Sequence, residues 1–292
     1  MDTPQQVDLT KNIKVDVRLE SYRSFFYHAW AERILSITEG SQIDLITFDL
    51  TASFKGIANT FALPWIMAQQ LNGFANGFVE SRPTIPRQFL ELISDRLIGQ
   101  TNARNMLRKE LRANLDRLLD EVISADEVAR KETAVATPEV CWNLTLDNSE
   151  FQMSLWSSQR LCYGGLYYAY EDYLLRVYQV CSGDNDCKIN GCFPKKFSDI
   201  FGDRLRDECL SDHRIAAAKQ VRHSLVHSGG RINEKLNRMR HGIEVIDGEL
   251  QIMAPDTRSL FHVLKDRSLN LAEKIISQTV SRIDEINTTS TE

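Results

Sequence analysis

The segment LCYGGLYYAYEDYLLRV, residues 161–177, decides the fold class of this chain. Its large apolar side chains recur every three or four residues, which is the spacing of an α-helix that buries one face. The residues of this apolar stripe are Leu161, Leu166, Ala169, Tyr170, Tyr173, Leu174 and Val177. The segment therefore predicts a long helix whose stripe faces the protein core.

The residues on either side of the stripe predict where this helix begins and ends. Asp147 followed by Glu150 has the spacing of a capping box, in which a side chain accepts a hydrogen bond from the first turn of the helix. The polar run from Ser182 to Asp186 contains Gly183, which indicates the end.

Most of the remaining chain has the same helical character. Glycine and proline are sparse, with 14 and 7 residues among 292, and apolar residues repeat at helical spacing in several further stretches. Helices are predicted over about 20–38, 64–78, 86–98, 101–125 and 257–286, and Asp212 is predicted to cap another. The stretch 43–50 fits either a short strand or the start of a helix.

One short stretch departs from the helical pattern. The pair Asp247-Gly248, which favours a two-residue turn, is flanked by Ile243, Val245, Leu250 and Ile252. This arrangement predicts a small β-hairpin, so the chain as a whole is expected to be mainly α.

The composition changes between residues 125 and 138, which are charged and rich in alanine and threonine. We take this stretch as a domain boundary. It divides the chain into an amino-terminal helical domain of unknown role, residues 1–140, and a second helical domain, residues 141–292.

The overall composition is that of a soluble protein, with 42% hydrophobic and 26% charged residues. No apolar run reaches the ~18 residues that a membrane span needs. The start, MDTPQQ, is polar and lacks the features of a secretory signal, so a cytoplasmic protein with reduced cysteines is expected. The formal net charge of −5 argues against a general nucleic-acid coat protein but allows a local basic site.

Such a site is predicted in the segment VRHSLVHSGG, residues 221–230. Arg222 precedes His227 by five positions, His223 lies between them, and Gly229-Gly230 indicates a helix end. A guanidinium binds phosphate through parallel hydrogen bonds, and an imidazole exchanges a proton near neutral pH. These residue types together favour phosphodiester chemistry.

The charge around this segment supports that interpretation. Between His213 and His241 only Glu234 is acidic, whereas seven residues are basic: Arg214, Lys219, Arg222, Arg231, Lys235, Arg238 and Arg240. Concentrated positive charge in an acidic chain indicates a phosphate-bearing ligand. The alternative is a solvated helix face without a ligand.

The region 149–285 resembles the HEPN superfamily of helical domains, whose catalytic members cut RNA. The resemblance rests on the spacing of Arg222 and His227, on the small-residue turn after His227, and on the aromatic and acidic stretch from Ala169 to Leu174. It implies a HEPN-like helical bundle, with the hairpin as an insertion. It does not extend to the amino-terminal half.

The resemblance also implies metal-independent cleavage of RNA without a cofactor. His227 would move a proton, Arg222 would stabilise charge on the phosphoryl oxygens, and His223 would either move the second proton or hold the phosphate. The further residues implicated are Glu171 or Asp172, as a support for Arg222, and Lys219, Arg231 and Lys235, as RNA contacts.

Catalytic members of this superfamily are dimers that join two such helix ends. On a straight helix, Arg222 and His227 point roughly 140° apart, so convergence on one cleft is expected to require a second copy. Family members often act as toxins or in phage defence, which implies an antitoxin or regulatory protein as a further partner.

Several other interpretations stay open at this point. His223 and His227 have the spacing of two zinc ligands, and Cys181, Cys187 and Cys192 lie close together without the spacing of a zinc ribbon. The tyrosines between 163 and 173 could stack on bases, but helical spacing favours the core or a dimer interface. A non-catalytic interaction module, binding a partner protein or a nucleotide, is the alternative function.

Overall fold

The computed structural model describes residues 13–80 and 137–289, together with five helical positions between those ranges. The described elements are a 3₁₀ turn at Leu19–Tyr22, α1 (His28–Thr38), α2 (Asp44–Phe61), α3 (Leu63–Glu80), α4 (Pro138–Leu146), α5 (Ser149–Ser182), α6 (Phe193–Phe201), α7 (Asp203–Arg206), a π turn at Asp207–Ser211, α8 (His213–His227), α9 (Glu234–Asn237), β1 (Glu244–Ile246), β2 (Glu249–Gln251) and α10 (Ala254–Thr289). The predicted fold class, mainly α with one small antiparallel hairpin, is confirmed.

The long helix α5 lies in the core, as its stripe predicts. It packs against α2, α8 and α10. Leu166, Tyr170 and Val177 on this stripe are fully buried. Leu161 is an exception, since 75% of it is exposed. It precedes Leu166 by five positions, a rotation of roughly 140° that takes it off the buried face.

The chain divides into two compact units, Met1–Ile66 with Asn143–Glu292 and Met67–Trp142. The predicted boundary between residues 140 and 141 lies close to the end of the second unit. The compact units differ from the predicted division into 1–140 and 141–292, because the first 66 residues belong to the same unit as the carboxy-terminal half.

The reason is an aromatic core that α1, α2 and α10 share. The ring of Trp30 stacks on that of Phe54 at 5.8 Å and meets Phe261 edge to face at 6.0 Å. The indole N–H of Trp30 donates a hydrogen bond to the carbonyl of Lys265 at 2.9 Å. Aromatic pairs of this kind stabilise beyond the area they bury, so α1 and α2 are integral to the unit that carries α5 and α10.

The ends of the helices follow local capping chemistry. The side chain of Asn148, rather than the predicted Asp147, accepts a hydrogen bond from the Phe151 N–H and caps α5. Gly183 ends that helix in the left-handed conformation with φ 75°. Asp212 caps α8 as predicted, with its carboxylate 2.9 Å from the Arg214 N–H.

The hairpin β1–β2 turns at Asp247 and Gly248, both with positive φ, as the sequence predicts. It is joined to the residues that follow α8, because the Leu250 N–H donates to the carbonyl of Gly230 at 2.9 Å. Ile232 donates in turn to the carbonyl of Gly248 at 2.8 Å. The hairpin therefore supports the end of the helix that carries Arg222 and His227.

Other predicted elements have mixed outcomes. The stretch 43–50, which had two interpretations, is helical and starts α2, and α3 has Pro64 in its first turn. The first helix begins at His28 rather than near residue 20. The helices predicted at 86–98 and 101–125 fall, apart from isolated positions in the latter, outside the described residues. Among the helices in the described ranges, none has the length and apolar composition needed to cross a bilayer.

Candidate functional site

The Arg222 and His227 side chains extend from different faces of α8. Arg222 is half-buried, and its guanidinium carbon lies 6.0 Å from the ring centre of Tyr168 on α5. His223 and His227 are exposed, and their ring centres lie 4.6 Å apart. The helix is regular up to His227, so the rotation of roughly 140° between positions 222 and 227 holds here. A single chain therefore presents the guanidinium and the imidazole pair to two neighbouring surfaces.

A polar row runs along the imidazole face. Lys219, His223 and His227 follow one another at four-residue spacing on α8, and all three are exposed. Lys219 lies 4.0 Å from a carboxylate oxygen of Glu171. Two imidazoles and an ammonium on one exposed helix face can exchange protons with a polyanion and attract it.

The end of α8 is fixed by several hydrogen bonds. The Ser224 carbonyl accepts the N–H groups of Ser228 and Gly230 at 3.0 and 2.9 Å, and the side chain of Asn233 contacts the Ser224 hydroxyl oxygen at 3.4 Å. Gly229 and Gly230 have φ of 61° and 90°, in the region that favours glycine. His227 therefore lies in the last turn of a helix whose exit path is well defined.

Arg160 on α5 reinforces this turn, and no sequence motif predicts its role. Its guanidinium donates to the carbonyl of Gly229 and lies over the ring of Trp156 at 4.1 Å. The indole N–H of Trp156 donates to Gln251 Oε1 at 3.1 Å. Burial lowers the pKa of the Arg160 guanidinium, although the charge of Glu249 partly offsets this effect. The four-residue spacing of Trp156 and Arg160 was the available signal, but the contact of Arg160 with Gly229 depends on tertiary packing.

The two candidate carboxylates lie next to other cations. Glu171 is near Lys219, and Asp172 lies 3.7 Å from Arg176, which also binds Asp49 on α2 at 2.8 Å. Within the described residues, no ion pair joins either carboxylate to Arg222. Asp172 belongs to the side of α5 that faces α2, which removes it from the Arg222 face. The predicted support of Arg222 by an acid is therefore not present in the single chain.

The remaining predicted RNA contacts are dispersed around the end of α8. Arg231 is exposed and forms a backbone bridge with Glu249 of β2. Lys235 is exposed on α9. Together with Lys219, these two residues are three exposed cationic side chains along α8 and the segment that follows it.

The three clustered cysteines differ in their surroundings. Cys187 is buried and lies 3.9 Å from Nζ of Lys196, Cys181 is half-buried, and Cys192 is exposed. In the part of the chain that the structure describes, no group of three or more histidine, cysteine, aspartate or glutamate side chains is arranged to hold a metal ion.

A pocket of about 620 Å³ lies between α5 and the second half of α8, on the Arg222 face. Its lining residues are Trp156, Ser157, Arg160, Leu161, Gly164, Gly165, Tyr168, Arg222, Leu225, Val226 and Gly229. Tyr168 is 59% exposed, whereas Tyr163, Tyr167, Tyr170 and Tyr173 are buried, as helical spacing favours for that cluster. Leu161 and Val226, at 75% and 58%, are also exposed.

Comparisons with models of protein families, with curated proteins and with solved structures each found no match to this chain.

Proposed function

We propose that this protein is a metal-independent endoribonuclease of the HEPN type. The observation that carries the proposal is the pair of exposed imidazoles, His223 and His227, one helix face away from the half-buried guanidinium of Arg222. These groups lie at the end of the helix within the most basic segment of an acidic chain. Such a combination provides both of the functions that phosphodiester cleavage needs, proton transfer and charge stabilisation.

The reaction uses the RNA's own 2′-hydroxyl as the nucleophile. His227 removes the proton from that hydroxyl, the 2′ oxygen bonds to phosphorus, and the bond from phosphorus to the 5′ oxygen breaks. His223 returns a proton to the departing 5′ oxygen, while Arg222 stabilises the charge on the phosphoryl oxygens. The products are a 2′,3′-cyclic phosphate and a 5′-hydroxyl end.

The proposal includes a homodimer, because Arg222 and His227 diverge within one chain. A twofold axis near the end of α8 brings His227 of the second copy towards Arg222 of the first, and the reverse. The exposed apolar side chain of Val226, in the last turn of α8, provides material for such an interface. The dimer therefore forms two equivalent composite sites.

In the cell, the protein would act as a cytoplasmic toxin or phage-defence effector that a regulatory protein or antitoxin inhibits. Uncontrolled RNA cleavage stops growth, which makes such control necessary. Lys219, Arg231 and Lys235 would guide the RNA backbone towards the site through sequence-independent phosphate contacts.

The test is cleavage of unmodified RNA by purified protein in the presence of EDTA. We expect wild-type protein to produce 5′-hydroxyl ends and cyclic phosphates. Arg222→Ala and His227→Ala should each reduce cleavage by about 10²- to 10⁴-fold. His213→Ala removes another exposed histidine of the same helix, and Arg238→Ala another exposed arginine of the basic segment, so both serve as matched controls with activity near wild type. Equal activity in all five proteins, or none in the wild type, contradicts the proposal.

The alternative is a non-catalytic module that binds a partner protein or a nucleotide. It is favoured by one observation, that the guanidinium and the imidazoles face apart in the single chain. In that case the RNA stays intact, while a ligand still protects the protein against thermal unfolding.

A further inference from the structure

The pocket beside Arg222 has the dimensions of a site for one nucleotide. Its volume of about 620 Å³ lies within the range of roughly 300–1,000 Å³ that small-molecule sites occupy. One wall is formed by Trp156, Arg160 and Tyr168 of α5, and the other by Arg222 and Val226 of α8. Gly164 and Gly165 leave space on the floor between the two helices.

The charged side chains that line this pocket are both positive, and the nearby carboxylate of Glu249 partly offsets the lowering by burial of the pKa of one of them, Arg160. Two guanidiniums, those of Arg160 and Arg222, are among the lining groups, and no lining residue is acidic. Among the described residues, arginines such as Arg176 and Arg267 form ion pairs with carboxylates. Arg160 and Arg222 form no ion pair with any described residue. Guanidiniums bind phosphate through two parallel hydrogen bonds, and half-buried ones do so in a reduced dielectric.

The aromatic groups of the pocket complement those cations. Arg160 covers the ring of Trp156 at 4.1 Å, and Arg222 lies 6.0 Å from the centre of Tyr168. Tyr168 is 59% exposed and so leaves much of its side chain open to solvent, unlike the four buried tyrosines near it on α5. An exposed aromatic ring between an apolar wall and a cation is suited to stack against a nucleobase.

We propose that this pocket binds one nucleotide of a single-stranded RNA, with its base against Tyr168 and Leu161 and its phosphate on Arg222 and Arg160. The proposal rests on the proposed nuclease function, because it places the bound nucleotide beside the phosphodiester that Arg222 stabilises. A base that is still paired and stacked in a duplex cannot enter such a pocket. Since most of the lining is apolar or aromatic surface, recognition should tolerate different bases.

The experiment measures binding without cleavage. A fluorescent 2′-O-methyl RNA oligonucleotide lacks the nucleophilic hydroxyl, and its fluorescence anisotropy reports binding to the full-length protein. Tyr168→Ala removes the stacking surface, and Leu161→Glu places a carboxylate at the pocket edge. Tyr27→Ala is the matched control, since Tyr27 is also an exposed tyrosine, 55% exposed, with the Lys265 ammonium 5.7 Å from its ring.

We expect Tyr168→Ala to weaken binding by about five- to 100-fold, Leu161→Glu to weaken it as well, and Tyr27→Ala to bind like wild type. Adenosine monophosphate should compete much less well than the unlabelled oligonucleotide. Competition at equal affinity would overturn the RNA assignment in favour of a free nucleotide. Unchanged binding by Tyr168→Ala, or a changed sedimentation coefficient as its only effect, would overturn the pocket and identify this face as a contact between copies.

The same proteins separate this inference from the nuclease proposal. If binding depends on Tyr168 but unmodified RNA stays intact, the nuclease proposal is contradicted and the pocket proposal is supported. If the wild type cleaves RNA, and Tyr168→Ala binds and cleaves it equally well, the pocket proposal is contradicted and the nuclease proposal is supported.

Discussion

Asp212 binds two arginines, Arg214 and Arg267, at the start of α8. Its carboxylate accepts a hydrogen bond from the Arg214 N–H at 2.9 Å and another from the Arg267 guanidinium at 3.0 Å. Burial raises the pKa of Asp212, but these hydrogen bonds outweigh burial and hold its pKa below the ordinary value. The charged carboxylate of Asp212 is therefore more stable in the folded protein than in the unfolded chain.

This difference predicts how stability depends on pH. A carboxyl group with a lowered pKa stabilises the fold above its unfolded pKa of about 3.9, and this contribution disappears as the pH falls through the folded value. At pH 7, Asp212→Ala should lower the free energy of unfolding by about 1–2 kcal/mol. Asp212→Asn, which keeps a capping oxygen, should lower it by less.

The measurement is urea unfolding of wild type and both variants between pH 3 and pH 8. The difference between wild type and Asp212→Ala should shrink in the acidic part of this range. A difference that stays constant down to pH 3 would show that the charge of Asp212 does not contribute to stability.

Sequence and structure agree unevenly at the residue scale. Asp212 was identifiable from its position before a helix, and Gly229 and Gly230 from their place after one. The cap of α5 was misplaced by one residue, because Asp147, Asn148 and Ser149 are all favourable caps and only the three-dimensional path selects Asn148. For Arg160 the sequence offered only its four-residue spacing from Trp156, because its partner Gly229 is distant along the chain.

At the scale of elements, the end of α8 depends on the backbone conformation of two glycines. Gly230 has φ 90°, and a Cβ added there would overlap the Arg160 guanidinium, whereas Gly229 has φ 61° and open space around it. Gly230→Ala should therefore destabilise the protein by more than the roughly 1–2 kcal/mol that a left-handed non-glycine residue costs. Gly229→Ala, the control, should cost about that amount.

Thermal unfolding followed by circular dichroism compares the two glycine variants. A double variant, Gly230→Ala with Arg160→Ala, should lose only part of the sum of the single effects, because the overlap is then absent. Equal destabilisation by the two glycine substitutions would mean that Arg160 does not occupy the space next to Gly230.

The long helix shows what periodicity can and cannot predict about an element. The buried face of α5 followed from the spacing of its aromatic and aliphatic residues, and the Asp247-Gly248 turn from its two residues alone. Which neighbours cover that face could not be predicted, because helical spacing gives a direction but not a partner. The contacts with α2 were missed for this reason, although α2 is the helix that α5 contacts most extensively.

At the scale of the whole molecule, the shared aromatic core predicts that residues 141–292 do not fold alone. Removing residues 1–140 exposes Phe261 and other apolar groups of α10 that Trp30 and Phe54 cover. Large-to-small changes in a core cost about 3–5 kcal/mol for a single tryptophan, a large share of the stability of a typical domain. The fragment should therefore lack a cooperative thermal transition, and Trp30→Ala in the full chain should lower the melting temperature. A fragment that unfolds cooperatively near the wild-type temperature would instead support the predicted domain boundary at residue 140.

The composite site leads to a prediction about mixtures of inactive proteins. Arg222→Ala retains His227, and His227→Ala retains Arg222, so a dimer with one copy of each has one intact site and one that lacks both groups. If copies associate at random, half of the dimers are mixed, and cleavage should recover to about one quarter of wild-type activity at equal total concentration.

The measurement is the rate of RNA cleavage after the two variants are unfolded together and refolded. His227→Ala mixed with the double variant Arg222→Ala, His227→Ala is the control, since no dimer in that mixture contains both groups. Recovery absent from the first mixture, while each variant alone still sediments as a dimer, would place Arg222 and His227 in the same chain's site or in none.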